Sequence, residues 1–215
     1  RRSGRPVPTF AVVHAFSAHN YELRYWLAAG GIAPDSDIAI RVLSPPLMPA
    51  ALAGGGIDGV CVGEPWNTVA AQEGGAVILL HKTDIWTNSP EKVLGLRSDW
   101  ADRKPDTAQR LLVALLRAAA WCADPANRDD LAETLAAADA LGVPKQRLAP
   151  VLADGLEFAG NAATFPWRSH ARWFAGQMVR WRQAQAGTEA LEQAARVYRP
   201  DLYRAAMAAI GGAAP

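Results

Sequence analysis

The chain holds 215 residues, half of them hydrophobic and 20% charged, with 22 Lys and Arg against 21 Asp and Glu and a net charge of +1. That length supports one sizeable core or two small ones, and the near-neutral balance lacks the basic footprint of a nucleic-acid binder. No apolar run reaches membrane-spanning length, and the start Arg1-Arg2-Ser3-Gly4 has no signal-peptide core behind it, although a chain trimmed upstream would read the same way. Cys61 and Cys122 each sit inside an apolar run and read as packing thiols in a reducing compartment rather than a disulfide framework. No metal-ligand spacing is present, and nothing calls for a cofactor.

In chain order, residues 1–8 are basic and Pro-containing and read as an extended lead-in. Phe10-Ala-Val-Val13 is a buried strand. A short turn runs from it into Ser17, a good N-cap, and Leu23, Trp26 and Leu27 recur at helical spacing until Gly30-Gly31 ends the run. Pro34-Asp35-Ser36 is a turn, and Asp37 to Leu43 is a second strand. Ser44-Pro-Pro-Leu-Met-Pro49 opens a short helix ending at Gly54-Gly-Gly56, with prolines at the start and glycines past the end. Ile57 to Val62 is a third strand, Gly63-Glu64-Pro65-Trp66-Asn67 turns it into another helix that stops at Gly74-Gly75, and Ala76 to Leu80 is a fourth strand. This β-α-β-α-β-α-β order, with apolar strands and short links, predicts an α/β fold: a mostly parallel sheet with helices on both faces.

From Asp84 the texture changes. Asp84 to Lys92 reads as a loop, Val93-Leu-Gly-Leu96 as a short strand, and nearly everything beyond as helix: Thr107 to Cys122 with Leu111, Leu112, Leu115 and Leu116 on one face, Asn127 to Ala137, Pro144 to Leu152, Trp167 to Gln183, Thr188 to Val197 and Asp201 to Ala209. Gly155 to Phe165 is an irregular connection. Helices trailing a strand that joins no local sheet predict elements that pack on a partner, with an apolar face that favours self-association or disorder.

Three segments carry the chemistry. The turn at Ser17 and His19 and the turn at Gly63 and Glu64 each follow a strand and begin a helix, so both aim free backbone N–H groups past the same sheet edge, where an anion is favoured and where open α/β sheets hold ligands. The loop from Asn88 to Lys92 adds an ammonium. An imidazole at His19, bare main chain at Gly63 and the charge of Lys92 suit a small planar anion rich in acceptor oxygens and without a donor, with Ser17, Asn20 and Glu64 as supporting residues. Plainer readings stand beside this: His14 and His19 as capping or packing residues, Gly63 as an ordinary helix entry, Lys92 as a solvated surface lysine. Glu64 has three open roles, pairing with Lys92, pairing with Arg97, or capping its own helix. Trp66, Trp86 and Trp100, and the aromatic stripe over Trp167 to Trp181, read as packing. No nucleophile elbow and no phosphate loop is found, so the chain reads as a non-enzyme.

At these residues a resemblance enters. Phe16-Ser-Ala-His-Asn-Tyr-Glu-Leu-Arg-Tyr-Trp-Leu-Ala-Ala-Gly-Gly-Ile32, Ile57-Asp-Gly-Val-Cys-Val-Gly-Glu-Pro-Trp-Asn67, Asp84-Ile-Trp86 and Pro90-Glu-Lys-Val-Leu-Gly95 resemble the nitrate-binding proteins of the ABC nitrate/bicarbonate transporter family. Asp124-Pro-Ala-Asn-Arg128, Phe165-Pro-Trp-Arg-Ser-His-Ala171 and Gln177-Met-Val-Arg-Trp181 are similar to one branch, the soluble nitrate/nitrite sensor that works with an RNA-binding antiterminator. The resemblance implies a two-lobed clamshell of the type II periplasmic-binding kind, with the anion between its lobes. It puts the family's anion-contacting histidine, glycine and lysine on His19, Gly63 and Lys92. Its tryptophan and glutamine contacts belong to a first lobe that is largely missing here. Residues 8–91 then correspond to the second lobe, and 92–215 to the return strand and the helices that in the family pack on the first lobe. The chain looks shortened around Gly155 to Gly160.

The expectations that follow are a nitrate or nitrite receptor lobe, serving either a cytoplasmic sensor with an antiterminator partner or an ABC transporter membrane complex. The second would be periplasmic if an upstream signal peptide has been lost. The alternatives are a bicarbonate receptor of the same family, an enzyme on the same fold, and an interaction-only remnant. Closure of a clamshell dehydrates its ligand and strengthens each contact, so a single lobe is expected to bind nitrate weakly.

Overall fold

The computed structural model describes residues 6–137, 139–153, 156–160 and 162–215. The predicted basic start, Arg1 to Gly4, and Gly155 and Asn161 of the predicted irregular connection lie outside the described residues. The chain divides into two compact units, residues 1–89 with 135–154, and residues 90–134 with 155–215.

The first unit is built on three parallel strands, β1 (Thr9–Val12), β2 (Ala39–Val42) and β3 (Gly59–Cys61), in the order β2-β1-β3. Val12 stands opposite Val42 on one side and Cys61 on the other. Because strand side chains alternate between faces, β1 feeds two cores. Ala11 packs with Met48 of α2 (Met48–Ala53), Ile57 and Val62, and with Trp66 of α3 (Trp66–Glu73). Val12 packs on the other face with Leu23 and Leu27 of α1 (Ala18–Ala29) and with Ile38, while Phe10 and Trp26 close the edge. The parallel sheet with helices on both faces is therefore present as predicted, and Trp66 packs in the core. Each fully buried aliphatic side chain in these clusters contributes about 1.5–3 kcal/mol of transfer free energy.

Two predicted strands do not form. Residues 76–80 and 93–96 carry no regular structure, and Val77 and Leu79 are 78% and 79% exposed. An apolar run supplies side chains for burial, but a strand also needs a neighbour for its N–H and C=O groups, and neither segment pairs with a described strand. Where a loop is predicted from Asp84, the chain makes the short helix α4 (Lys82–Ile85), started by a bond from the His81 N–H to the Asp84 carboxylate at 2.7 Å. The helix predicted from Pro144 to Leu152 forms as α8 (Lys145–Ala153), which packs on α3, buries Leu148 and Leu152, and ion-pairs Arg147 with Glu73.

The second unit is helical. It holds α5 (Ser98–Arg103), which the sequence reading did not separate, α6 (Pro105–Ala123), most of α7 (Arg128–Ala136), α9 (Arg168–Arg180), α10 (Thr188–Val197) and α11 (Pro200–Ala209). Leu116 of α6 meets Phe165, Tyr203 and Ala206, with Leu112 against them, whereas Leu115 is exposed. The predicted four-leucine face is thus only partly used within this unit. α9 and α10 pack together, and the Arg172 guanidinium grips both oxygens of Glu192 at 3.0 Å. Cys61 and Cys122 are free thiols.

Candidate functional site

The first predicted segment leaves β1 through a tightly bonded turn. The Ser17 N–H donates to His14 O at 3.1 Å, and the Ser17 hydroxyl donates to the same carbonyl at 2.7 Å. Ser17 is the N-cap of α1, its backbone extended (φ −82°, ψ 155°), and its Oγ accepts from the Asn20 N–H at 3.2 Å. Ser17 is therefore a capping residue, stabilising by about 1 kcal/mol. His19 is the second residue of α1 and is only 8% exposed. Asn20 is 2% exposed and works as a clamp: its amide donates to Ala15 O at 2.7 Å, and its oxygen accepts from Arg24 Nε at 3.1 Å. Arg24 also meets Asp35 at 2.6 Å. Burial pushes the neighbouring Tyr21 phenol up, with Arg24 opposing, so Tyr21 keeps its proton at neutral pH.

The second segment repeats the device. The Trp66 N–H bonds back to Gly63 O at 3.3 Å, and the Asn67 amide donates to Val62 O at 2.7 Å. Asn20 and Asn67 thus do the same work, each reaching five residues back to a carbonyl of its own strand-exit turn. Of the three roles open to Glu64, the structure makes it a helix cap: Oε2 accepts from the Thr68 N–H at 3.2 Å. Gly63 is not in the left-handed region, so the backbone conformation of this turn does not itself require glycine.

Register brings these two segments to one edge. Val12 of β1 is paired in parallel with Cys61 of β3, so the chain leaves both strands side by side, toward His14 to Asn20 from one and Gly63 to Asn67 from the other. Two helix N-termini at adjacent strand ends bring backbone N–H groups and partial positive charge to that edge. Lys92 belongs to the second unit; its side chain is 80% exposed and ion-paired with Glu91 at 2.8 Å. A cavity of about 220 Å³ in the first unit is bordered by Pro46, Trp66, Val69 and the segment leading into α8. Among the described residues, no group of three or more His, Cys, Asp or Glu is arranged to hold a metal ion.

The sequence reading missed one buried group. Glu22, one helical turn past His19, is only 3% exposed, and its Oε1 accepts from the Ser89 hydroxyl at 2.5 Å and faces Lys82 Nζ at 3.4 Å. A signal was available: Glu22 lies at i−4 from Trp26, on the side of α1 that turns inward, where an acid is unusual.

Residues 1–136 match the profile of the NMT1-like family, well over half of the chain. The chain belongs to the NMT1-like family. It is 40% identical over 207 residues to a bicarbonate transport ATP-binding protein, CmpC, of Synechococcus elongatus, covering 93% of this chain and 31% of that relative. It is 35% identical over 216 residues to the nitrate/nitrite binding protein NrtA of the same organism, covering 94% of this chain and 49% of that relative. The crystal structure of the periplasmic nitrate-binding protein NrtA from Synechocystis PCC 6803 superposes with a TM-score of 0.88 at 29% identity, over 95% of this chain and 57% of that one. This NMT1-like chain thus has the α/β fold of a periplasmic binding protein, and it spans from 31% to 57% of the length of these relatives.

Proposed function

We propose that this chain is the anion-binding part of a non-enzymatic receptor for nitrate or nitrite. The observation that carries the reading is the pairing of β1 with β3, which sets the helix entries after both strands at one sheet edge with the buried His19 in the first turn of α1. His19 and the main chain at Gly63 would donate to the anion's oxygens, and Lys92 would supply its counter-charge. Ser17, Asn20 and Glu64 hold the two turns in shape through the bonds already described. The names of the NrtA relatives support nitrate or nitrite as the ligand.

Bicarbonate is the second reading, favoured by the name of the CmpC relative. Bicarbonate carries an O–H and needs an acceptor, whereas nitrate needs donors only. The acids close to the proposed residues already accept from protein groups: Glu64 from the Thr68 N–H, Glu91 from Lys92, Glu22 from Ser89. That pattern favours the donor-free anion. Two settings fit such a receptor, a transporter's membrane complex in the periplasm or a cytoplasmic sensor acting through an antiterminator protein. Among the described residues no helix is long and apolar enough to cross a membrane. A pull-down with and without nitrate separates the two settings, because a sensor's partner must respond to the ligand.

The test of the binding reading is a titration with sodium nitrate followed by amide NMR, with sodium chloride as control. Saturable shifts concentrated at residues 17–20 and 63–66, produced by nitrate and not by chloride, are expected. Their absence, or equal shifts with chloride, overturns the reading. Lys92→Glu is expected to abolish the nitrate response, and a retained response removes Lys92 from the site.

A further inference from the structure

We infer that Glu22 is a positioning residue: its buried carboxylate fastens the turn at residues 86–89, and with it the start of the segment that carries Lys92, to helix α1 one turn past His19. The inference rests on the anion reading for its purpose, but its geometry stands apart from it. Glu22 is 3% exposed, so its charge is held away from water and needs partners. It finds two, both far along the chain: the Ser89 hydroxyl at 2.5 Å, 67 residues away, and Lys82 Nζ at 3.4 Å. A hydroxyl donating to a carboxylate at such a distance is a charge-assisted bond, roughly twice as strong as a neutral one.

The turn itself is built to present that hydroxyl. Asn88 adopts the left-handed conformation at φ 59°, which asparagine tolerates better than most residues, and the Ser89 N–H bonds back to Trp86 O at 3.2 Å. α4 approaches α1 and brings Lys82 with it. Ser89 is the last residue before the chain passes into the second unit, and Lys92 follows three residues later. The point from which that segment departs is therefore set by a side chain of the same helix that carries His19. The pairing also has an electrostatic effect. An unpaired carboxylate one turn from His19 would repel an anion there, and the Lys82 ammonium offsets that charge.

The experiment is hydrogen exchange and nitrate titration on the whole chain and on its E22Q, E22A and S89A variants, with the global unfolding midpoint measured for each. S89A removes a single half-buried hydroxyl and keeps the carboxylate with its lysine, so it is the variant least expected to disturb folding. The expected result is exchange about tenfold faster or more at residues 86–89 in S89A and E22A, with protection elsewhere in α1 and in β1 retained. E22Q is expected to lie between these variants and the parent, because its amide oxygen still accepts from Ser89. Weaker nitrate binding should follow the same order. Unchanged exchange at residues 86–89 in S89A overturns the anchor. Faster exchange there in S89A, together with a parent protein that does not respond to nitrate, keeps the anchor and refutes the anion reading, so the two failures are distinguishable.

Discussion

Asn20→Ala tests whether the turn that presents His19 is held by the side chain assigned to it. The substitution deletes two bonds from a residue that is 2% exposed: the amide to Ala15 O at 2.7 Å, and the oxygen that takes Arg24 Nε at 3.1 Å. A neutral bond contributes about 1 kcal/mol net and one to a charged group about 1.5–3 kcal/mol. The expected loss is therefore about 2–4 kcal/mol, before relaxation of Arg24 toward Asp35 recovers a part. Asn67→Ala is the matched control, since its described bond is the single one to Val62 O, at 2.7 Å, and about 1 kcal/mol is expected there. Urea denaturation followed by circular dichroism reads the difference, provided the slope with urea is unchanged so that the midpoints compare stability. Amide exchange at residues 15–20 should accelerate in N20A and not in N67A. A loss below about 1 kcal/mol in N20A, or equal losses in the two variants, would refute the clamp.

Other substitutions address different links. Gly59→Ala places a Cβ within 2.7–2.8 Å of two ring carbons of Phe10 on the adjacent strand; a cost of about 1–3 kcal/mol is expected from overpacking. Phe10→Leu should recover much of it in a double-mutant cycle, and additive losses would count against the contact. Glu192 is held below its ordinary carboxylate range chiefly by its hydrogen bond to Arg172. A depressed folded-state value contributes stability above the unfolded value, which is lost as pH falls through the folded one. Glu192→Gln should therefore lower the urea midpoint at neutral pH and converge with the parent only after the pH has fallen through the depressed folded-state value, below the ordinary carboxylate range, where the carboxyl is protonated in both states; a gap that persists there would mean the pairing of α9 and α10 does not depend on this charge. Ser17→Ala removes the cap of α1 and should cost about 1 kcal/mol in the same denaturation assay; no loss would show the cap to be idle.

What the sequence made legible is what local chemistry decides. Ser17 as a cap, Gly30 past the end of α1, and the alternation that sends Ala11 and Val12 to opposite faces all follow from neighbours a few residues apart. What it hid depends on distant partners. Ala76 to Leu80 has the composition of a buried strand, yet whether it pairs is settled by a neighbouring strand that no local pattern reports. The short helix at Lys82–Ile85 rests on the reach of one Asp84 carboxylate to the His81 N–H. Glu22 was hidden for the same reason: its partner Ser89 lies 67 residues away, and on a helical wheel it is one polar residue among apolar ones. His19, Gly63 and the caps around them were legible as a pattern because a strand, a turn and a helix start are contiguous in the chain.

The same arrangement that makes β1 and β3 good parallel neighbours also makes their exits suited to an anion. Parallel strands both run toward one edge, so the helices that follow begin there, each with donors that no carbonyl of its own helix can take. Here the caps are the neutral Ser17 and, at α3, a carboxylate turned onto the Thr68 N–H in the first turn. The acid nearest His19, Glu22, is turned instead toward Lys82 and Ser89. The Glu64 carboxylate at the α3 entry and the Glu22 carboxylate each accept from protein donors, so under the receptor reading a single added cation, such as Lys92, would determine whether an anion is held.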